Sequence, residues 1–558
     1  MGAGCEDRTA PPVSPTVATE THDFAPPSSP LGAYLAARLA QDQGDSKAAA
    51  EYYMAALGSD SDNTQLAAGA FMLMLADGRF DDAVPLAEKL LSYDQEAPLP
   101  QLVLGIESAR KGNFSDSRDH FAAMHKRSIT AVVSPMLTAW ALAGSGLTAP
   151  ALDALSPLAQ FDGFKAVHAF HAGLILDLGG KTDAAIEEYR VALAGPLNIR
   201  TIEAAGSAYQ RKGDSTSAQA LYDRYLAEHP ETLLFDGTSL LATGKDAGLA
   251  VPNAKDGMAE AMFDLTQVLR QTDQMQLALI FNRLALVLEP DFPLAQMTLA
   301  DQLTTIGHVQ EANRLLRAIS PKSPVSAFAR LRLAANLDDK GATDEALKEL
   351  SALEKERPNN VEVRITEGDI YRRRKDFHSA AQAYTQALSL IKGQPAEAWS
   401  IYFSRGVALE RDHQWPQAET DLREALRLRP DQPDVMNYLA YSWIDRGLNL
   451  GEAKGMIERA VSLRPDDGAI VDSLGWALYR LGDYDQSVKM LERAVELKPE
   501  DPTINEHLGD AYYRVGRQNE ARMQWHRATT LNPEPEQQPG LTEKVRTGTL
   551  PDAPSIIQ

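Results

Sequence analysis

Residues of matching type recur along this chain with a step of 34, and a period of that length leaves few folds open. Leu474-Gly475 returns as Leu508-Gly509, Tyr479-Arg480-Leu481-Gly482 as Tyr513-Arg514-Val515-Gly516, Ala494 as Ala528, and Pro499 as Pro533. Followed upstream, repeats start at Pro30, Thr64, Pro98, Val132, Ala166 and, one residue early, Ile199. A second run starts at Ala259, Pro293, Ala327, Val361, Trp399, Pro433, Gly468 and Pro502, which makes fourteen repeats. The eighth position is Gly or Ala in twelve of them, Phe71 and Thr266 being the exceptions, and the twentieth is Ala or Ser in all fourteen, with one residue of slippage at Ala453. Side chains this small are what two helices need to approach closely. Pro230, Pro290, Pro324, Pro358, Pro430, Pro465, Pro499 and Pro533 end the second helix, because proline lacks the amide hydrogen and clashes with the preceding turn. Each repeat is therefore expected to be a helix hairpin. One hairpin cannot bury its own apolar face, so the hairpins must stack on their neighbours.

These residues resemble the tetratricopeptide repeat, with its Leu-Gly pair in the first helix, Gly or Asp at the turn, small residues in the second helix and Pro at the exit. The resemblance implies an all-α chain, a right-handed α-solenoid of about fourteen hairpins. The expected organisation is a disordered tether over 1–29, six repeats over 30–232, a linker or degenerate hairpin over 233–258, eight repeats over 259–535 and a loose tail over 536–558. Residues 233–258 carry Gly237, Gly244, Gly248, Gly257 and Pro252 and match no repeat, which marks the expected hinge. A shorter break, with Gly393 and Pro395, lengthens the step between Val361 and Trp399.

Composition excludes several classes of function. At 44% hydrophobic and 24% charged, the chain has apolar surface enough to fold. Its net charge of −22 repels phosphate backbones and anionic headgroups, so no nucleic-acid partner is expected. The single cysteine, Cys5, rules out an internal disulfide and any zinc site built on several thiolates. Cys5 follows small residues and precedes a stretch holding Pro11, Pro12, Pro15, Pro26, Pro27 and Pro30, a layout similar to a mature bacterial lipoprotein. That resemblance implies lipidation of Cys5, a signal peptide upstream of Met1, and a place on the periplasmic side of the outer membrane, with membrane contact only through the lipid. The alternative is an ordinary free thiol and a cytoplasmic protein.

Catalytic and cofactor motifs fail on inspection. His168 and His171 lie three apart but have no evident third metal ligand. Gly179-Gly180-Lys181-Thr182 falls at a hairpin turn, whereas a phosphate-binding loop follows a strand. Asp60-Ser61-Asp62 lacks the Gly and the closing Glu of a calcium loop. The chain is therefore read as a non-enzyme with no cofactor and no metal. Arg372-Arg373-Arg374-Lys375 is the one dense basic cluster; it reads as a solvated helix end, or else as a contact for an acidic partner.

In a hairpin solenoid the first helix lines the concave face, and positions two, five, nine, twelve and thirteen share one stripe of it. In the last three repeats that stripe holds Asn437, Tyr441 and Ile444, then Asp472, Trp476, Tyr479 and Arg480, then Glu506, Asp510, Tyr513 and Arg514. Aromatic anchors beside hydrogen-bonding groups have the composition of a protein-binding hot spot. The alternative is that Trp476 and Tyr479 pack between adjacent helices. Asp472, Trp476 and Arg480 do not supply the Lys and Asn of the carboxylate-clamp members of the repeat family. Asn437 to Tyr441, Asp472 to Arg480 and Glu506 to Asp510 resemble the C-terminal repeats of Gram-negative tetratricopeptide-repeat proteins of this length. Many of those are outer-membrane lipoproteins, and the group includes adaptors of carboxyl-terminal processing proteases. The resemblance implies a cell-envelope scaffold whose partners include such a protease. A cytoplasmic adaptor without lipid and, third, the repeat half of an enzyme are the other readings.

Overall fold

The computed structural model describes residues 29–550 except 126–128, 162, 196–197, 229–246 and 392–395. Cys5, Gly393 and Pro395 lie outside the described residues. The chain divides into two compact units, Glu20–Glu349 and Leu350–Gln558, with Met1–Thr19 outside the described residues. Among the described residues there are helices but no strands, and no helix is long and apolar enough to cross a membrane.

In the first unit the hairpins are α1 (Pro30–Asp42) with α2 (Ser46–Ser59), α3 (Thr64–Ala76) with α4 (Phe80–Leu91), and α5 (Pro98–Arg110) with α6 (Phe114–Ala123). Next come α7 (Thr130–Gly144) with α8 (Thr148–Leu155), α9 (Lys165–Leu178) with α10 (Thr182–Ala192), and α11 (Ile199–Arg211) with α12 (Ser215–Glu228). Then follow α13 (Ala254–Gln271) with α14 (Met275–Leu288), α15 (Pro293–Thr305) with α16 (Val309–Ala318), and α17 (Ser326–Asp339) with α18 (Thr343–Glu356). The second unit holds α19 (Val361–Arg373) with α20 (Phe377–Leu390), α21 (Trp399–Arg411) with α22 (Trp415–Leu428), and α23 (Pro433–Arg446) with α24 (Leu450–Leu463). It ends with α25 (Gly468–Arg480) and α26 (Tyr484–Leu497), α27 (Pro502–Arg514) and α28 (Gln518–Thr530), and a single helix α29 (Gln538–Thr547). The fourteen expected hairpins are all present, as an all-α solenoid.

Three residue choices build each hairpin. The small eighth residue receives a large side chain sixteen positions on: a Cβ at Gly206 would lie 2.1 Å from the Tyr222 hydroxyl, and one at Gly509 2.5 Å from Trp525 Cδ1. The twentieth residue has no exposure in any of the fourteen repeats, from Ala49 to Ala521, so the second helix sits flush on the first. The turn between them needs one left-handed residue, which eleven repeats supply as glycine; Asp273, Lys375 and His413 take the same conformation at φ near 60°. Asn63, Asn198, Asn360, Asp467 and Asp501 cap the first helices by accepting from backbone N–H groups of the first turn.

The expected boundaries do not coincide with the compact units, which part at Glu349 and Leu350, inside α18. Of the linker expected over 233–258, residues 233–246 lie outside the described residues, and its end belongs to α13, which starts at Ala254. Instead of opening a detached array, α13 turns back onto α7 and α9. Gly257 presses on Trp140, Asp264 accepts from His171 at 3.2 Å, and the fully buried Glu260 takes a forked bond from Arg200 on α11 at 2.7 and 3.0 Å. Trp140 Nε1 donates to the other nitrogen of His171 at 3.0 Å, so this histidine serves packing inside the unit. A hairpin pattern records which two helices pair locally; it carries no record of a helix returning to an earlier array. The tail expected over 536–558 contains α29, whose Leu541 is fully buried and which covers the apolar face that the last hairpin would otherwise expose. Residues 551–558 lie outside the described residues.

Candidate functional site

The stripe read from the last three repeats separates into buried and half-buried members. Asn437, Asp472, Tyr479 and Asp510 are buried, at 3 to 6% exposure. Tyr441, Trp476, Arg480, Tyr513 and Arg514 are half-buried. The buried ones hold the face together and the half-buried ones present it.

Trp476 stacks on Tyr479 with centroids 4.7 Å apart and planes at 7°, and on His507 at 4.1 Å and 14°. Asp472 holds His507 from beneath through Nδ1 at 3.0 Å, and Arg514 donates to the Tyr479 hydroxyl at 3.2 Å. Successive first helices are thus laced: Arg480 reaches back to Asp445 at 3.3 Å, just as Arg446 reaches Glu410 at 2.6 Å. The alternative reading, in which Trp476 and Tyr479 pack between helices, describes Tyr479 fully and Trp476 in part. At the end of the unit Lys544 from α29 meets Glu506 at 2.7 Å and Asp510 at 2.8 Å, and Trp525 Nε1 donates to Asp510 at 2.8 Å. Tyr513 leans on Trp525 at 5.8 Å.

Burial pulls the His507 imidazolium down, but the adjoining Asp472, helped by Glu506 and Asp510, more than offsets it, so its pKa is raised. Burial also works against the Lys544 ammonium, and the carboxylates of Asp510 and Glu506 carry its pKa up in turn. The His507 shift fixes a pH dependence. A raised folded-state value contributes stability that is complete below the unfolded value, near 6.5, and fades as pH rises through the folded value. Thermal melts of the wild type should therefore lose a component of stability above neutrality, and Asp472→Asn should flatten that dependence. An unchanged slope in the variant would remove His507 as its source.

Sequence reading missed His507 and Lys544. His507 sits at position six, off the stripe, and Lys544 lies in a segment read as a tail. It also left out half-buried Phe403 and Val407 on α21, although positions five and nine would have found both. Arg372 of the basic cluster bonds to the Tyr384 hydroxyl at 3.2 Å, and exposed Lys375 pairs with Glu534 at 3.3 Å.

In Glu20–Glu349 the corresponding face of α7, α9 and α11 is covered. Trp140, His171 and Arg200 are spent on α13, and Ser207 and Arg211 both donate to the carbonyl of Gly248, at 2.5 and 2.7 Å.

A family model described as Tetratricopeptide repeat-like domain matches residues 255–401. Models described as Tetratricopeptide repeat match 33–63, 204–232 and 403–468, and one described as TPR repeat matches 475–516. A TPR repeat-containing protein of Pseudomonas aeruginosa is 32% identical over 155 residues, 28% of this chain and 26% of that protein. The match thus spans about a quarter of that relative's length. Among solved structures, yeast Tom70 matches 93% of this chain and 95% of its own at 15% identity with a TM-score of 0.36. A tetratricopeptide repeat protein from Parabacteroides merdae matches 46% of this chain and 98% of its own at 15% identity with a TM-score of 0.38.

Proposed function

Because the chain belongs to the tetratricopeptide-repeat family, we propose that it is a non-catalytic scaffold that grips protein partners on the first-helix face of residues 361–514. The observation that carries this reading is a row of half-buried apolar side chains, Phe403, Val407, Tyr441, Trp476 and Tyr513, on four successive first helices. Rigid side chains that are only partly covered bury further area at small entropic cost when a partner arrives. In Glu20–Glu349 the face of α7, α9 and α11 is already taken up by α13 and the chain just before it.

The test is capture of partners from native extract beside a thermal melt. Tyr513→Ala and Trp476→Ala should each weaken capture by roughly 1 to 3 kcal/mol. Trp476→Ala should also lower the melt a little, since the ring stacks on Tyr479 and His507. Wild-type capture by both variants would place the binding face elsewhere.

A narrower form of the proposal puts the scaffold in the bacterial cell envelope, tethered through lipid on Cys5, with a carboxyl-terminal processing protease among its partners. It is supported by the resemblance of Asp472 to Arg480 and Glu506 to Asp510 to such adaptors, and by the proline-rich stretch after Cys5. Mass analysis of the native protein separates it from the cytoplasmic form: an acylated Cys5 as the first residue, or an unmodified thiol.

A further inference from the structure

Within Glu20–Glu349 the helix that follows α13 also turns back: α14 packs on α3 and α5, helices of the second and third repeats. This seam encloses a cavity of about 210 Å³. Its wall is apolar, since Leu75 from α3, Phe80 from α4, Leu284 from α14 and Leu299 from α15 line it and are all buried. Half-buried Val287 and Leu315 edge it. One basic side chain enters this apolar lining. Arg283 on α14 lines the cavity with its side chain only 10% exposed, and its guanidinium lies against Gly78, a second lining residue, where an added Cβ would be 2.5 Å from Nη1. The turn between α3 and α4 comes this close because Gly78 has no side chain and sits at φ 82°. Nη1 and Nη2 of Arg283 donate to the two carboxylate oxygens of Glu311, at 2.8 and 3.3 Å. Its Nε is buried as well, and among the described residues it has no acceptor.

We propose that this cavity binds a small neutral amphiphile: a hydrocarbon body the size of one aromatic ring, ending in a hydroxyl oxygen that accepts from Arg283 Nε. Size sets the first limit. A cavity of about 150 Å³ holds benzene, so this one holds a ring with roughly two further heavy atoms. Charge sets the second, because Glu311 already balances the guanidinium and an anion would have to displace it from an apolar site. An ammonium drawn to Glu311 and to Asp77, which adjoins Gly78, is the competing ligand. Burial already raises the Asp77 pKa against the pull of Arg283, so the seam is poor ground for further charge. The unmet N–H sets the third limit: a buried donor without a partner is costly, which favours a ligand that brings one acceptor. The proposal stands apart from the scaffold reading, since it concerns the other unit and needs no partner protein. An occupant would bridge α3 and α4 to α14, α15 and α16 and so stabilise the closure.

The experiment titrates the full-length protein with benzyl alcohol, ethylbenzene and benzylammonium, which share nearly one shape and end in a hydroxyl, a methyl and a cation. Binding is read by ligand-observed saturation-transfer NMR. Hydration alone would make the alcohol a weaker ligand than ethylbenzene for an apolar cavity; donation from Arg283 Nε should bring it level or tighter. Both should bind about ten-fold or more tighter than benzylammonium. Bound benzyl alcohol should slow hydrogen exchange in α14 and at the turn between α3 and α4, and leave the second unit unchanged. The double variant Arg283→Met with Glu311→Gln removes the donor and both charges but keeps the bulk, and should shift the ratio of the two neutral affinities about ten-fold toward ethylbenzene. On wild-type protein alone, four results overturn the proposal: tighter binding of ethylbenzene than of the alcohol, benzylammonium as tight as the alcohol, no saturable binding of the alcohol below ~10 mM, or protection outside the seam. A folded double variant with an unchanged ratio overturns it too.

Discussion

Gly257→Leu should destabilise the Glu20–Glu349 unit by about 3 kcal/mol or more. A Cβ at this glycine would lie 2.2 Å from Cε3 and Cζ3 of Trp140, and the indole has no exposure and no room to retreat, since its Nε1 is bonded to His171. Overpacking of this kind typically costs about 1–3 kcal/mol, and here it falls on a helix that also holds Glu260 against Arg200. Lifting α13 to relieve the clash would leave that guanidinium without its main partner, which adds to the loss. A urea titration should show the lowered midpoint, and hydrogen exchange should show faster opening in α7 and α9. Gly455→Leu is the control: nothing lies within 4 Å of a Cβ there, and replacing a mid-helix glycine should stabilise by up to about 1 kcal/mol. A Gly257→Leu protein with the wild-type midpoint would mean that α13 is not seated on α7.

The second large effect is expected at Lys544→Ala. Lys544 is the cation between two carboxylates, with Asp510 at 7% and Glu506 at 17% side-chain exposure. Removing one partner from a buried group of this kind costs on the order of 3–5 kcal/mol, because charge is left in the interior without compensation. Asp510 would keep only the indole of Trp525, so the variant should recover part of its stability as pH falls and a carboxyl takes up a proton. The melt of the second unit, followed from pH 7 downward, checks both the size and the slope. A small loss, independent of pH, would show that water reaches Asp510 once the ammonium is gone.

The hairpins were legible because their determinants are local. Gly475 and Leu491, or Gly509 and Trp525, sit sixteen residues apart in one repeat, and proline marks the exit of each second helix. The docking of α13 was not, because its parts are scattered: Trp140, His171 and Arg200 belong to three different repeats, and Gly257 reads by itself as a loop glycine. Lys544 was hidden in the same way by neighbouring Pro, Gln and Glu, although Leu541 and Val545 four residues apart give α29 an apolar side. At the candidate site the stripe residues lie within the first helices α23, α25 and α27. Which members would be covered was not readable, since coverage of Tyr479 depends on Arg514 in the next repeat.

The return of α13 has a bearing on how this chain is made. Synthesis is vectorial, so α7, α9 and α11 leave the ribosome before the helix that completes them exists. The roughly sixty residues between Arg211 and Gln271 take ~3–12 s at ~5–20 residues per second, and through that interval Trp140 and His171 lack their cover. A nascent chain stalled near residue 240 would therefore expose an indole and leave Arg200 with Glu203 but without Glu260, a state open to chaperones that the finished protein never shows. Synonymous codons that slow translation over residues 212–271 would lengthen that exposure without altering a single side chain.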